Sequence, residues 1–307
     1  MTAPAPPKSP NRRDPGQAER LLRRLDWQVI RRLDGLLQGD HRALFYGSGT
    51  DFADLREYQT QDDVRYIDWN VTARLDVPYI RQYIDDRELT AWLLLDRSSS
   101  MGFGHVERTK AMVEAELAAT LARLLTRDGN RIGAVLYDNA VERVLPPRGG
   151  RQQVLRLTRD LLRPPAGAGT ATDLGGLFRA GLQTIRRRSL VFVVSDFISE
   201  PGWQRALGVL AHRHEVVAVR LWDRREVELV DAGVVVMQDA ETGEQLFVDT
   251  SDPRFRRRFA AAASARQEEL RTSIRRAGVD LYDLSTDDDL VRVLLRMIAF
   301  RKQRGRR

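Results

Sequence analysis

Short apolar runs alternate along the middle of the chain with longer segments in which apolar residues recur at helical spacing. The runs TAWLLLD, RIGAVLYD, SLVFVVSDF and EVVAVRLWD are rich in Val, Leu, Ile and Phe, which is typical of strands buried on both faces. The segments between them, such as ERTKAMVEAELAATLARLLTRDG and WQRALGVLAHRH, are amphipathic and predict helices. This alternation predicts an α/β fold with a doubly wound, mostly parallel sheet that helices cover on both faces.

Three further regions flank this pattern. QAERLLRRLDWQVIRRLDGLLQG predicts an amphipathic helix that packs on the main domain, whereas residues 51–88 are dense in charges and aromatics and predict a β-rich arm. GVVVMQDAETGEQLFVDT predicts a late β-hairpin insertion at about 226–250, turning at Glu241 to Gly243. The predicted organisation is a disordered leader over residues 1–17, the N-terminal helix and arm over 18–88, and the α/β domain over 89–307.

Composition narrows the classes of function. The chain has no cysteine, which excludes disulfides, thiol catalysis and cysteine-ligated metals. No apolar run is long enough for a membrane span, and the first residues do not resemble a secretory signal, so we expect a cytoplasmic protein. The net charge is +7, but acidic and basic residues are interspersed without a basic stripe interleaved with aromatics. Nucleic-acid binding is therefore only a minor alternative.

Oxygen-bearing side chains follow the ends of two predicted strands and begin one predicted helix. Asp96, Ser98 and Ser100 form a D-x-S-x-S pattern directly after the run WLLL. Asp196 ends the run LVFVVSD, and the glycine-rich segment GAGTATDLGG places Thr172 just before a helix. Taken as three loops between strands and helices, these segments should meet at the carboxyl edge of the sheet, where doubly wound folds bind ligands. Carboxylate and hydroxyl oxygens suit a hard divalent cation.

Other interpretations of the same residues stay open. Ser98 and Ser100 also fit serines that satisfy turn amides or cap a helix, and Asp196 also fits a strand-end cap without an ion. Thr170 replaces Thr172 if the register of the loop differs. The chain has neither a G-x-S-x-G nor a Walker motif, which disfavours an enzyme. A metal-dependent hydrolase with Asp96 and Asp196 holding the ion remains the alternative from a different class.

The order of D-x-S-x-S, Thr172 and Asp196 resembles the metal-ion-dependent adhesion site of von Willebrand factor A domains. Upstream, TDFADLREYQTQDDVRYIDWNVTAR, VPYIRQY and DRELTAWLLLDRSSSM are similar to the DUF58 family, bacterial proteins that carry a von Willebrand factor A-like domain. The resemblance runs from about residue 44 to residue 200 and is most specific over residues 51–102.

This resemblance implies a von Willebrand factor A or Rossmann-like fold and a function in protein binding rather than catalysis. It implies Mg²⁺ or Mn²⁺, not necessarily bound in the resting protein, with one coordination position left for an Asp or Glu carboxylate of a partner protein. It also implies a MoxR-type AAA+ ATPase as partner, which the chain serves as an adaptor in protein assembly or metalloprotein maturation. The implied metal ligands are Asp96, Ser98, Ser100, Thr172 and Asp196.

The charged and aromatic residues of the arm have two interpretations that the sequence does not separate. They form either a network of ion pairs and stacked rings that fixes the arm against the sheet, or a second surface for a partner protein. The residues concerned are Arg56, Glu57, Tyr58, Asp62, Asp63, Arg65, Asp68, Trp69 and Arg74.

Overall fold

The structure is a computed structural model, and the elements that it contains follow the predicted alternation. It describes residues 16–37, 54–59, 64, 67, 69–75, 77–82, 89–105, 108–165, 172–238 and 245–304. The α-helices are α1 (Gln17–Leu25), α2 (Arg31–Leu37), α3 (Trp69–Leu75), α4 (Lys110–Arg127), α5 (Gly150–Leu161), α6 (Leu174–Thr184), α7 (Trp203–Arg213), α8 (Pro253–Arg276) and α9 (Leu290–Arg304). The strands are β1 (Asp54–Glu57), β2 (Tyr79–Gln82), β3 (Thr90–Asp96), β4 (Gly104–His105), β5 (Arg108–Thr109), β6 (Arg131–Asp138), β7 (Ala140–Arg148), β8 (Leu190–Ser195), β9 (Glu215–Trp222), β10 (Val234–Gln238), β11 (Gln245–Asp249) and β12 (Asp280–Ser285).

The central sheet has six strands in the order β12-β9-β8-β3-β6-β7. Every neighbouring pair is parallel except β6 and β7, which form an antiparallel hairpin at one edge. The chain runs from β3 through α4 to β6 on one side, and later enters β8 on the other side of β3. The strand order therefore reverses between β3 and β8, which creates the crevice where such sheets bind ligands. The predicted fold class is confirmed.

The four inner strands of the sheet, β9, β8, β3 and β6, are buried on both faces, which explains why they are nearly continuous apolar runs. Along β3, Leu93 and Leu95 belong to the core on the side of α4, α5 and α9, whereas Trp92 and Leu94 belong to the core beneath α6 and α7. Successive side chains of a strand point to opposite faces, so one uninterrupted run supplies both cores.

The N-terminal helical segment packs on the face of the sheet that α4 covers. The single helix expected over residues 17–39 is divided, because a π-helical turn at Asp26–Ile30 separates α1 from α2. Leu22 and Leu33 belong to the core cluster on this face. Ion pairs join the segment to α4 and to the residue before α9, namely Arg24 with Glu116, Asp26 with Arg123, Asp34 with Arg127 and Arg32 with Asp289.

The arm and the late insertion each contain an antiparallel pair of strands. The arm contains the antiparallel pair β1 and β2, as expected, but also the helix α3, which strand-like alternation did not suggest. The predicted hairpin is present as the antiparallel pair β10 and β11. Its predicted turn at Glu241 to Gly243 lies outside the described residues, as do residues 1–15 of the leader.

The N-terminal segment gives a test of the core. Leu33 is fully buried, whereas Leu36 on the same helix is 61% exposed. We expect Leu33→Ala to lower the free energy of unfolding by about 2–5 kcal/mol, because it removes buried methyl groups and leaves a cavity. The control Leu36→Ala should change it by less than about 0.5 kcal/mol. Urea denaturation measures both, and equal small effects would show that this helix is not part of the cooperative core.

Candidate functional site

Asp96 and two serines form a buried, hydrogen-bonded group at the carboxyl end of β3. The Asp96 carboxylate accepts a hydrogen bond from the Ser98 amide at Oδ1 (3.0 Å) and one from the Ser195 hydroxyl at Oδ2 (2.6 Å). The hydroxyl oxygens of Ser98 and Ser100 lie 3.1 Å apart. A 3₁₀ turn at Ser99–Gly102 follows directly and leads the chain away from the sheet. The predicted D-x-S-x-S residues are thus brought together at the topological switch point, where the strand order reverses between β3 and β8.

Asp196 occupies the equivalent position at the end of the adjacent strand β8. Its Oδ1 accepts a hydrogen bond from the Ile198 amide (3.0 Å), and the Phe197 amide donates to the Ser195 hydroxyl (2.8 Å). Phe197 has φ of 58°, a left-handed conformation that is unfavourable for a bulky residue. Its buried ring packs against Trp203, with centroids 5.8 Å apart. Strained backbone of this kind is held in place by its surroundings and is common at functional sites.

Thr172 lies at the same rim, meaning the carboxyl edge of the sheet where β3 and β8 end, but it is not carried there by the expected topology. Its segment connects α5 to α6, so it is a loop between two helices rather than the strand-to-helix loop that was predicted. The carbonyl of Thr172 accepts hydrogen bonds from the Ser199 hydroxyl (2.8 Å) and the Glu200 amide (3.0 Å). These bonds fasten the loop to the segment after β8. Thr172 is buried, whereas Thr170 lies outside the described residues.

Lys110, the first residue of α4, is the main participant that sequence reasoning missed. Its side chain is fully buried, and its ammonium donates to Asp196 Oδ2 (2.6 Å) and to Glu226 Oε1 (2.5 Å). Burial by itself lowers the pKa of Lys110, but the charges of Asp196 and Glu226 more than offset this and raise the pKa above its ordinary value. A signal was present in the sequence, since Lys110 is one of only three lysines in a chain whose other basic residues are arginines.

Glu114, one helical turn after Lys110, adds a second buried acid that was not predicted. It is 1% exposed, and its Oε1 has no hydrogen-bond partner within the part of the chain that the structure describes. Burial raises the pKa of Glu114 well above its ordinary value, the charge of Arg97 lowers it, and the charges of Asp96 and Asp196 raise it again. The site therefore contains a buried acid that holds its proton more tightly than an exposed glutamate would.

The electrostatics of Asp96 reflect the same crowding of acids. Burial raises the pKa of Asp96, the neighbouring charge of Asp196 raises it further, and hydrogen bonds from Ser195 and Ser98 lower it, leaving a pKa of about 7. Both carboxylates are thus close enough to influence each other, and the ionised form of Asp96 is disfavoured. A cation bound beside Asp96 would favour the ionised carboxylate.

Arg97, although it follows Asp96 directly, serves to anchor the loop. Its guanidinium donates to the carbonyls of Leu161 (2.6 Å) and Arg163, and its Nε lies 3.6 Å from a carboxylate oxygen of Glu142. These partners lie on β7 and at the end of α5, so Arg97 joins the D-x-S-x-S loop to neighbouring elements.

The residues present fit a hard cation by the chemistry of their donors. Asp96, Ser98 and Ser100 provide clustered oxygens, which Mg²⁺ and Mn²⁺ prefer, and Glu114 Oε1 is a buried oxygen without a hydrogen-bond partner among the described residues. The fit is not that of an all-carboxylate cage. Within the described ranges no three His, Cys, Asp or Glu side chains are gathered as such a cage requires. An ion here would depend on the hydroxyl groups and on water.

The candidate surface on the arm is only partly described. Glu57 and Tyr58 lie at the end of β1, and Trp69 and Arg74 lie on α3, where the Trp69 side chain is 69% exposed. Of Arg56 the structure describes the backbone, in β1. The others, Asp62, Asp63, Arg65 and Asp68, lie outside the described residues. Both interpretations of this set stay predictions.

Comparison with known proteins identifies a family model and two relatives that match most of the chain. The family model described as "Protein of unknown function DUF58" matches residues 54–269. Uncharacterized proteins of Mycobacterium bovis and of Mycobacterium tuberculosis are each 40% identical over 283 residues, which is 92% of this chain and 89% of theirs.

The solved structures that are similar share little sequence with this chain. A conserved hypothetical protein BatB from Bacteroides thetaiotaomicron has a TM-score of 0.46 at 11% identity, covering 70% of this chain and 99% of that one. An aerotolerance-related membrane protein from Bacteroides fragilis has a TM-score of 0.44 at 12% identity, covering 71% and 100%. These values are too low to support an argument about function. In this chain, none of the helices described here is both long and apolar enough to cross a membrane.

The raised pKa of Asp96 predicts how stability depends on pH. The pKa is about 7 in the folded protein against an ordinary value of 3.8, so the folded state binds this proton more tightly. The resulting stabilisation is complete below about pH 4 and is lost as the pH rises through about 7. In EDTA, from about pH 5.5 to about pH 8, the free energy of unfolding of the wild type should fall by about 2 kcal/mol more than that of Asp96→Asn.

Urea denaturation across this pH range measures the difference. The control is Asp173→Asn, because Asp173 is a half-exposed acid next to Thr172 that pairs with Arg179. Its pH profile should be parallel to that of the wild type. Parallel profiles for wild type and Asp96→Asn would contradict the buried, proton-binding Asp96.

Proposed function

The chain belongs to the DUF58 family, and on that premise we propose that it is a non-enzymatic protein-binding module that depends on a divalent cation. The observation that carries this proposal is the gathering of buried oxygen donors at the switch point of the sheet, next to two exposed apolar side chains. The proposed metal ligands are Asp96, Ser98, Ser100, Thr172 and Asp196.

The proposed ligands differ in the charge that they would bring to the ion. Asp96 would supply the carboxylate at the centre, and Ser98 and Ser100 would supply neutral oxygens from the same loop. Thr172 and Asp196 would complete the site from the neighbouring loops, directly or through water. A bound Mg²⁺ or Mn²⁺ would offer an open coordination position to a carboxylate of the partner protein. Because the protein itself would supply few carboxylate ligands, binding of such an ion would depend strongly on the partner's carboxylate.

The surroundings of the donors favour a protein partner. Phe103, just after the 3₁₀ turn, is 41% exposed, and Ile198, two residues after Asp196, is 39% exposed. The Phe103 ring lies 5.8 Å from the Lys110 ammonium, which places it beside the site. Apolar side chains around a polar centre are suited to a protein interface, where they exclude water from the buried contacts.

The identity of the partner rests on the family resemblance alone. We propose a MoxR-type AAA+ ATPase, with this chain as its adaptor in protein assembly or metalloprotein maturation in the cytoplasm. The arm residues from Arg56 to Arg74 would then be a second surface for the same complex.

Metal dependence is tested by titration of Mn²⁺ with electron paramagnetic resonance, which follows the free ion. We expect wild type and the control Asp173→Asn to bind one ion, and Asp96→Asn to bind it at least about tenfold more weakly because a charged ligand is lost. Equal binding by Asp96→Asn would place the ion elsewhere and contradict the proposed site.

Partner binding is tested by capture from a lysate of the source organism, with the same three proteins in Mg²⁺ and in EDTA. A partner of this site is retained by wild type and Asp173→Asn in Mg²⁺ only. An AAA+ ATPase in that fraction supports the adaptor function, whereas retention that is unchanged by EDTA and by Asp96→Asn contradicts it. Hydrolysis of a phosphoester or peptide that Asp96→Asn abolishes would favour the hydrolase alternative instead.

A further inference from the structure

A cationic side chain of the protein already occupies one side of the proposed metal site. The Lys110 ammonium lies 2.6 Å from Asp196 Oδ2 and 2.5 Å from Glu226 Oε1, with the lysine side chain fully buried. The other oxygen of Asp196 accepts a hydrogen bond from the Ile198 amide. Asp196 is therefore neutralised and hydrogen-bonded at both oxygens without any added ion.

Glu226 is held ready as a second partner for the same ammonium. Its Oε2 accepts a hydrogen bond from the Asp223 amide (3.0 Å), within a capping box that begins the 3₁₀ turn Arg224–Glu226 after β9. Asp223 is itself buried and accepts a hydrogen bond from the Thr286 hydroxyl (2.6 Å). These hydrogen bonds hold Glu226 by contacts other than the one with Lys110.

We propose that Lys110 is a built-in counter-cation that competes with the divalent ion for Asp196, and that Glu226 retains its ammonium when the ion binds. This inference rests on the proposed function, because it concerns the same metal site. The physical reason is electrostatic: an ammonium and a divalent cation repel each other, and both need the same carboxylate. Lys110 then sets how much metal is required before the site is ready for a partner.

The proposal predicts opposite effects for two substitutions. Lys110→Met removes a positive charge next to the site and should tighten Mn²⁺ binding by about tenfold or more. Glu226→Gln removes one of the two carboxylates that the ammonium contacts in the described part of the chain, so Lys110 should hold Asp196 more closely and Mn²⁺ binding should weaken. The exposed pair Arg224–Glu228 offers a matched control, since Glu228→Gln removes an acid near Glu226 that lies outside the cluster. It should leave the affinity within about twofold of the wild type.

Nuclear magnetic resonance tests the displacement directly in the unmodified protein. The chain has only three lysines, Lys8, Lys110 and Lys302, so a sample labelled with ¹³C in lysine gives three sets of side-chain signals. Lys8→Arg and Lys302→Arg assign them by elimination without changing the site. Addition of Mg²⁺ should shift the Lys110 signals, and the shift should be absent in Asp96→Asn at the same Mg²⁺ concentration.

The outcomes separate this inference from the proposed function. Asp96-dependent Mn²⁺ binding with unmoved Lys110 signals, and with equal affinity in Lys110→Met, would overturn the counter-cation and leave the metal site standing. Binding in Lys110→Met but not in wild type, again lost on adding Asp96→Asn, would support the counter-cation and contradict metal dependence of the natural protein. Absence of binding in both proteins would overturn both ideas.

Discussion

The buried contact between the Lys110 ammonium and the Asp196 carboxylate is the interaction on which the site depends. Moving an ammonium and a carboxylate out of water is costly, and the pair is tolerated because each charge has a close partner and further hydrogen bonds. Through this contact α4, β8 and the turn after β9 meet at one point. Removing Lys110 would leave the carboxylates of Asp196 and Glu226 without their shared cation, whereas removing Asp196 would leave the ammonium paired with Glu226.

The position of this contact follows from the topology of the sheet. Because the strand order reverses between β3 and β8, the chain leaves these two strands in opposite directions and opens a crevice at their carboxyl ends. Strands β3 and β8 are apolar along their buried lengths, so their polar groups lie where the strands end. Asp96 and Asp196 are placed there, and Ser195 joins them by donating to one and preceding the other. Fold and site are thus consequences of the same arrangement.

The sheet and half of the site were predictable because their signals are local. Continuous apolar runs predicted the four inner strands of the sheet, and Asp96, Ser98 and Ser100 are close neighbours in the sequence. Thr172 was placed on the right rim for the wrong reason, since its loop joins two helices and is held by Ser199 and Glu200 rather than by a strand. The resemblance to a known family supplied its assignment, where spacing alone would not have done so.

The remaining features depend on contacts between distant parts of the chain. Lys110 meets Asp196 and Glu226 across 86 and 116 residues, and no periodicity links these positions. The burial of Glu114 could be predicted only once it was known which side of α4 faces the site. Similarly, the left-handed backbone of Phe197 accompanies packing of its ring against Trp203. A phenylalanine in the sequence does not predict this conformation, because bulky residues rarely adopt it. The remaining local signal was the rarity of lysine in this chain, which singles out Lys110 as one of three.

A crystal structure of the protein grown with Mn²⁺, with anomalous diffraction measured to locate the ion, tests the central claim most directly. We predict one strong anomalous peak at the rim, within bonding distance of Asp96, Ser98 and Ser100, with the Lys110 ammonium turned from Asp196 towards Glu226. An anomalous map without a peak at this rim, in crystals that contain Mn²⁺ and with Lys110 still bound to Asp196, would contradict the claim that this is a metal-dependent binding site.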